Sequence, residues 1–191
     1  MSLISILNLS NNSLLTIPAS IFNKLSNVAK LYLSYNRIDK ISFPYFRENK
    51  LRIVDVSNNY LKSLNLEHLE SIVKVDCSQN ELSFLTLPPS VSILNCRKNQ
   101  LSNIYFLEHC HLLEEADLSA NQLYDLKFNF KPYLKFKEER TGVSRKAYEA
   151  LKRLNCGQNK IQFIEGMELL PNLREFSLRD NEVCLTRQTI N

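Results

Sequence analysis

Residues 4–14 read Ile-Ser-Ile-Leu-Asn-Leu-Ser-Asn-Asn-Ser-Leu, and this stretch decides the fold. Its key positions form the template L-x-x-L-x-L-x-x-N-x-L, in which L stands for an apolar residue. The template occurs eight times in the chain, each time with an asparagine at its ninth position: Asn12, Asn36, Asn59, Asn80, Asn99, Asn121, Asn159 and Asn181. Such a regular return indicates a repeat architecture, in which each unit is stabilised by its neighbours.

The residue types at each position predict the local structure. Apolar residues alternate at positions 4 and 6, which is typical of a short strand with one buried face. A single strand cannot bury that row, so the copies must stack. An asparagine amide both donates and accepts hydrogen bonds. We therefore predict a ladder of asparagines that pairs with the backbone where the chain turns after each strand, and no catalytic role for them.

The template resembles the leucine-rich repeat family over nearly the whole chain. This resemblance implies an α/β right-handed curved solenoid of eight repeats, with parallel strands on the concave face and turns, short helices and 3₁₀ segments on the convex face. The repeats are of mixed types. The connections from Leu101 to Leu113 and from Ile161 to Leu173 have an apolar residue at every third position. They resemble the 22-residue subclass typified by the regulator of protein phosphatase 1 and the axonemal dynein light chain.

The spacing predicts one repeat domain over residues 1–191 with one insertion. Successive asparagines lie 24, 23, 21, 19, 22, 38 and 22 residues apart. The long step predicts an insertion over residues 127–150, between repeats six and seven, in which aromatic and basic residues alternate. We favour a structural reading, in which the aromatics fold back onto the repeat. A contact loop is the alternative, with Lys131, Tyr133, Lys135 and Lys137 as the contact candidates.

Composition narrows the functional classes. The chain has only three glycines and lacks the glycine-rich phosphate-binding motifs, the G-x-S-x-G serine motif and the H-E-x-x-H zinc motif. The residue types in His109-Cys110-His111 are those of metal ligands. However, adjacent side chains point in different directions, and no second Cys/His pair has the spacing of a metal site. We therefore predict no enzyme, no cofactor and no metal.

Charge and cysteine usage bear on partners and location. A net charge of +4 with both signs interspersed does not favour nucleic acid as a partner, and no apolar run approaches the length of a membrane span. Three of the five cysteines occupy apolar template positions, which favours reduced thiols in an intracellular protein. We predict a cytoplasmic location, and the subclass resemblance adds a cytoskeletal association.

The alternation of side chains along a strand identifies the concave face. Positions 3, 5 and 7 point away from the core. The two features of this surface are three tyrosines flanked by charge, typical of an interface hot spot, and a row of aspartates. The candidate partner contacts are Lys30, Tyr32, Tyr35, Ile53, Asp55, Tyr60, Lys74, Asp76, Ile93, Asn95, Arg97 and Asp117.

Two interpretations of the aspartate row remain open. Asp55, Asp76 and Asp117 form either an acidic stripe for a basic or hydroxyl-rich partner or a hydrated surface with no partner. Neighbouring strands lie about 4.8 Å apart, so the first two carboxylates repel each other unless they are paired. We expect Lys74 and Arg97 to offset them.

Together these features predict a non-catalytic scaffold or adaptor that binds another protein on its concave face. One alternative is the substrate-recognition domain of a larger enzyme or secreted bacterial effector. Another is an RNA-associated protein that uses the basic insertion. Neither end of the sequence contains a cap, so we expect a fragment of a longer protein, or self-association through an uncapped end.

Overall fold

The computed structural model describes residues 3–24, 26–45, 49–128 and 148–184. It contains one short α-helix, α1 (Ala19–Lys24), and 3₁₀ helices at Tyr105–Leu107 and Met167–Leu169. All of the strands are three residues long. In chain order they are β1 (Ile6–Asn8), β2 (Lys30–Tyr32), β3 (Ile53–Asp55), β4 (Ser63–Asn65), β5 (Lys74–Asp76), β6 (Phe84–Thr86), β7 (Ile93–Asn95), β8 (Glu115–Asp117), β9 (Asp125–Lys127), β10 (Arg153–Asn155), β11 (Phe163–Glu165) and β12 (Glu175–Ser177).

Eight of these strands form one parallel sheet, the inner sheet, in the order β1-β2-β3-β5-β7-β8-β10-β12. Each template copy contributes one strand, and neighbouring strands pair in register, so that Leu31 lies beside Val54 and Val54 beside Val75. The right-handed solenoid predicted from the template is confirmed.

The core is a stack of apolar rows behind the inner sheet. The central residue of most inner strands is buried. So are six of the eight residues at position 6, namely Leu33, Val56, Cys77, Cys96, Leu118 and Cys156, whereas Leu9 and Leu178 in the terminal repeats are half-buried. The flanking residues of the same strands are half-buried or exposed, for example Ile53 and Asp55 on either side of Val54. Alternation between core and solvent therefore follows the template.

The asparagine ladder is present and links each repeat to the preceding one. Asn99 is representative. Its Nδ2 donates to the carbonyl oxygens of Cys77 and Cys96, both at 3.0 Å, and its Oδ1 accepts the N–H of Leu82 at 2.9 Å. Asn12 bonds only within its own repeat. Because a buried backbone group without a partner is costly, these amides stabilise the turns that follow the strands.

The residue before each ladder asparagine adopts a left-handed backbone conformation, with φ between 53° and 57°. Asn11 and Asn58 suit this conformation, whereas Tyr35 is a bulky side chain for which it is unfavourable. The eight residues at this position are Asn11, Tyr35, Asn58, Gln79, Lys98, Ala120, Gln158 and Asp180.

The convex side contains strands that the sequence did not predict. β4 pairs in parallel with β6, and β9 with β11, which gives two separate two-stranded outer sheets. An isolated bridge joins Thr16 to Lys40 at the equivalent place in the first two repeats. In repeat five the corresponding residues lead into the 3₁₀ helix Tyr105–Leu107 instead.

The long step between repeats six and seven leaves the inner sheet intact. β8 pairs directly with β10, and Asn159 Nδ2 donates to Leu118 O at 3.0 Å. Near the two ends of the predicted insertion, Phe128 and Tyr148 are buried, and their rings meet edge to face with centroids 5.4 Å apart. Residues 129–147 lie outside the described part of the chain.

Candidate partner-binding face

Most of the predicted contact residues lie together on the concave face of the inner sheet. The register places Lys30, Ile53, Lys74 and Ile93 in one row across β2, β3, β5 and β7, and a second row contains Tyr32, Asp55, Asp76, Asn95 and Asp117. Arg97 is exposed two residues beyond Asn95. Tyr35 and Tyr60 are also exposed, but they lie on the loops that follow β2 and β3 rather than on the strands. The insertion candidates Lys131, Tyr133, Lys135 and Lys137 lie outside the described residues.

The side chains of the aspartate row accept hydrogen bonds from the backbone just after their strands end. Asp55 Oδ1 accepts hydrogen bonds from the N–H of Ser57 at 3.0 Å and from its hydroxyl at 2.7 Å. Asp76 makes the same two bonds to Ser78. The side-chain oxygens of Asn8, Asn95, Asp117 and Asn155 likewise accept the N–H two residues on. Asp and Asn side chains commonly form such turns, so a structural role accounts for this row.

The charges in the row are not balanced as the sequence suggested. In the described portion of the chain, no ion pair joins Lys74 or Arg97 to Asp55 or Asp76. Instead, Asp76 Oδ2 accepts a hydrogen bond from Asn95 Nδ2 at 3.0 Å. This amide donor leaves the charge of the Asp76 carboxylate in place, on a face that also carries Lys30 and Lys74 in the neighbouring row.

Tyr32 interrupts the row of turn-forming side chains. It occupies the position that Asp or Asn holds in six other repeats, and a phenol ring cannot accept the N–H two residues on from there. The next polar side chain, Ser34, donates its hydroxyl to the Ser10 hydroxyl at 3.0 Å instead. Repeat two therefore has an aromatic ring on the concave face at a position where most other repeats have a strand-end cap.

Tyr35 adds a second unusual tyrosine beside Tyr32. It is 57% exposed, and its backbone is held at φ 54°. The same left-handed conformation occurs before every ladder asparagine, so it belongs to the turn of the repeat, and the unusual feature here is the bulky side chain that occupies it. Tyr60, which is 53% exposed, follows in the next repeat, where its N–H donates to Ile38 O at 2.9 Å. We call Tyr32, Tyr35 and Tyr60 the tyrosine cluster.

The opposite end of the concave face is polar and internally paired. Arg153 forms an ion pair with Glu115 across β8 and β10. Close by, Lys152 Nζ lies 2.7 Å from Glu114 Oε2. In both pairs an acidic and a basic side chain neutralise each other. On the inner strands themselves the cluster contributes one half-buried ring, Tyr32, and its two exposed rings, Tyr35 and Tyr60, lie on the adjoining loops.

The five cysteines are all unpaired thiols, and only Cys184 is exposed. Burial raises the pKa of Cys110 to about 12. Burial, followed by the hydrogen bond with Cys77, also raises the pKa of Cys96 well above its ordinary value. Since the thiolate is the reactive form, the buried cysteines act as small apolar core residues.

For metal binding and membrane spans, the structure gives information only on the residues that it describes. Across these segments, no group of three or more His, Cys, Asp or Glu side chains is arranged to bind a metal ion. Cys110 is buried between His109, which is exposed, and His111, which is half-buried. The helices in these same segments are all too short or too polar to cross a bilayer.

A groove on the convex side was missed by sequence reasoning. It has a volume of about 1230 Å³ and lies between β6 and residues 101–106, where the outer sheet is interrupted. All three histidines of the chain, His68, His109 and His111, line it together with Phe84 and Tyr105. The residues come from the connections of three consecutive repeats, and the stacking of these repeats brings them together.

Comparison with known proteins agrees with this architecture. Residues 2–61 match the leucine rich repeat family model. The crystal structure of internalin C2 from Listeria monocytogenes superimposes with a TM-score of 0.71 at 24% identity, covering 98% of this chain and 76% of that one. The chain has the leucine-rich repeat fold.

Two further similarities concern proteins that are much longer. The crystal structure of the LRIM1/APL1C complex gives a TM-score of 0.74 at 24% identity, covering 93% of this leucine-rich repeat chain and 30% of that one. Tubulin-specific chaperone E from Danio rerio is 27% identical over 92% of the chain. The chain spans only 36% of that chaperone's length. Repeat solenoids of this kind generally use their extended concave surface for protein–protein interaction.

Proposed function

We propose that this chain is a non-catalytic scaffold that binds a partner protein through the tyrosine cluster on its concave face. The observation that carries the proposal is Tyr32, which places an aromatic ring where most other repeats place a strand-end cap. Tyrosine is enriched at interface hot spots because it combines a large apolar ring with a hydroxyl group.

The neighbouring side chains favour a partner with mixed chemistry. Ile53 adds apolar surface beside the cluster, while Asp55 and Asp76 supply negative charge on the next strands. We infer that the partner places an apolar anchor against the tyrosines and a basic residue against the aspartates. This charge pairing contributes more to association rate and specificity than to affinity.

The location proposed for this scaffold is intracellular. Five unpaired thiols suit a reducing compartment. The similarity to a tubulin-specific chaperone supports a cytoplasmic protein with cytoskeletal partners. We therefore propose that the partner is a protein and that the scaffold acts in a cytoskeletal setting.

The proposal is tested by a pull-down with matched variants. The double variant Tyr32→Ala with Tyr60→Ala removes the cluster, and Tyr45→Ala with Tyr124→Ala removes two exposed tyrosines from elsewhere on the molecule. We expect the wild type and the second variant to retain the same proteins. Loss of the pair should weaken binding by at least about 30-fold, because truncation of even one hot-spot residue costs about 2 kcal/mol or more.

Purified partner and variant are then compared by calorimetry, and thermal melting confirms that both double variants fold. Equal partner retention by the Tyr32→Ala, Tyr60→Ala variant would contradict the proposal. So would equal loss of the partner in both variants, because the effect would then not belong to the concave face.

A further inference from the structure

The convex groove lies along the edge of β6 that has no strand partner among the described strands, and the central residue of β6, Leu85, is 4% exposed. Leu66 N–H donates to Thr86 O at 3.0 Å, so the backbone groups of Thr86 face β4. Because these groups alternate in direction along a strand, the N–H and C=O of Leu85 face the other way, toward the groove. In repeat five, residues 103–105 are the equivalent of a third strand, but the chain enters a 3₁₀ helix at Tyr105. Of the strands described, only β4 pairs with β6.

The walls of the groove are apolar and aromatic. Leu85 and Leu87 lie on the β6 side, and Leu101 and Phe106 lie on the opposite side. At the mouth, the Phe84 ring is 56% exposed and the Tyr105 ring is 54% exposed. An extended peptide fits such a site because its backbone bonds to the strand edge while alternate side chains contact the walls.

The charge of the groove is opposite to that of the chain. The net charge is +4, yet the described residues of the lining include Glu67 and Glu70 and no lysine or arginine, and the other titratable side chains among them are three histidines and Tyr105. Within the described ranges, neither carboxylate takes part in an ion pair. The faces of the two exposed rings also attract cations. These features complement Lys and Arg side chains.

We propose that the convex groove binds an extended segment of a partner protein that carries lysine or arginine, and that this segment adds to β6 as a parallel or antiparallel strand. Backbone hydrogen bonds to Leu85 provide the register, and Glu67 and Glu70 select the basic side chains. This site is on the opposite side of the solenoid from the tyrosine cluster, so it is independent of the proposed function above.

The probe is a fluorescein-labelled peptide, Thr-Lys-Val-Lys-Thr, with both ends blocked, titrated with the full chain and followed by fluorescence anisotropy. We expect a dissociation constant below about 1 mM. A peptide with Glu in place of Lys tests the charge preference. A third peptide, N-methylated at Thr, Val and Thr, keeps the side chains but lacks N–H groups for strand pairing, and we expect it to bind at least about tenfold more weakly.

Protein variants place the probe in the groove. Glu67→Gln with Glu70→Gln is expected to weaken binding about three- to tenfold, because two exposed charge pairs are lost. Glu149→Gln with Glu168→Gln is the matched control, with the same change in net charge at exposed residues elsewhere. The control, and the Tyr32→Ala, Tyr60→Ala variant, should bind as the wild type does.

Several results would overturn the proposal: no binding of the lysine peptide at millimolar concentration, equal binding of the N-methylated peptide, or equal effects of the two glutamine double variants. The first would exclude a basic peptide as occupant, the second would exclude strand addition, and the third would indicate attraction to the overall charge alone.

Discussion

Strands β5 and β6 belong to the same repeat, but their surroundings differ. β5 lies between β3 and β7 in an eight-stranded sheet, whereas β6 pairs with β4 alone. The template fixes the distance from each inner strand to its ladder asparagine, and the connection beyond varies because the asparagines lie 19 to 38 residues apart. A sheet continues only where consecutive repeats present equivalent backbone. The four strands of the outer sheets each begin four residues after a ladder asparagine, and β9 pairs with β11 across the longest step, so the length of the connection does not decide this pairing. The outer sheet is interrupted at repeat five, where the chain enters a 3₁₀ helix at Tyr105.

The most severe way to disrupt the inner side is a charge in its core. Leu118 is 1% exposed behind β8, so Leu118→Asp buries a carboxylate among apolar side chains and should unfold the chain. Leu112→Asp is the control, since Leu112 is 43% exposed, and a loss of no more than about 0.5 kcal/mol is expected there. Circular dichroism and thermal melting measure both. A folded Leu118→Asp variant would mean that the core is looser than this packing indicates.

The ladder predicts a smaller effect that also depends on position. Asn99→Ala removes the partner of Cys77 O, Cys96 O and Leu82 N, and should lower the free energy of unfolding by about 2–4 kcal/mol. Asn12→Ala should cost less than about 1 kcal/mol, because Asn12 is exposed and contacts only its own repeat. Urea denaturation of the two variants measures the difference. If the two variants lost similar free energies of unfolding, the hydrogen bonds of the asparagine side chains would not be what stabilises one repeat against the next.

Amide exchange distinguishes the two edges of an outer strand. The N–H of Leu66 is bonded within the outer sheet, whereas that of Leu85 faces the groove. In the absence of ligand, Leu85 should exchange faster by about an order of magnitude or more, as measured by NMR in deuterated buffer. If Leu85 were as protected as Leu66, the edge of β6 would be covered in solution.

The smallest expected effect is a gain in stability. Tyr35→Asn places at this left-handed position the residue type that Asn11 and Asn58 already provide, and should raise the free energy of unfolding by about 0.5–1 kcal/mol. The same change should weaken binding at the tyrosine cluster. Tyr60→Asn is the matched control, with similar exposure and no positive φ, and should give no such gain. A loss of stability in Tyr35→Asn would show that the tyrosine packs more than its exposure suggests.

The inner side of this fold was predictable because its signal is repeated. Eight copies of alternating apolar residues identify the strands, and the capacity of an amide to donate and accept explains Asn36 or Asn121 in an apolar run. The outer strands were not predictable. Three residues such as Ser63–Asn65 carry too little alternation to indicate a strand, and their pairing depends on the backbone conformation of the adjacent repeat.

The candidate site was predictable in position and less so in chemistry. The period of two along a strand placed Lys30, Ile53 and Asp76 on the concave face. The strand-end turns of Asp55 and Asp76 depend on a backbone conformation that the residue types alone do not fix. The tyrosine cluster as a partner contact remains a prediction. The convex groove depends on contacts between repeats that no local pattern encodes.

The ladder also gives the stack a direction. Asn36 completes the hydrogen bonding of Leu9 and Leu14 in the repeat before it, and Asn59 does the same for Leu33 and Ile38. During synthesis the earlier repeat leaves the ribosome first. The backbone N–H and C=O groups of its turn therefore lack their partner until the asparagine of the next repeat has also emerged. Ordering should thus advance from the amino to the carboxyl end, and each repeat should complete its hydrogen bonds only after the next repeat has been synthesised.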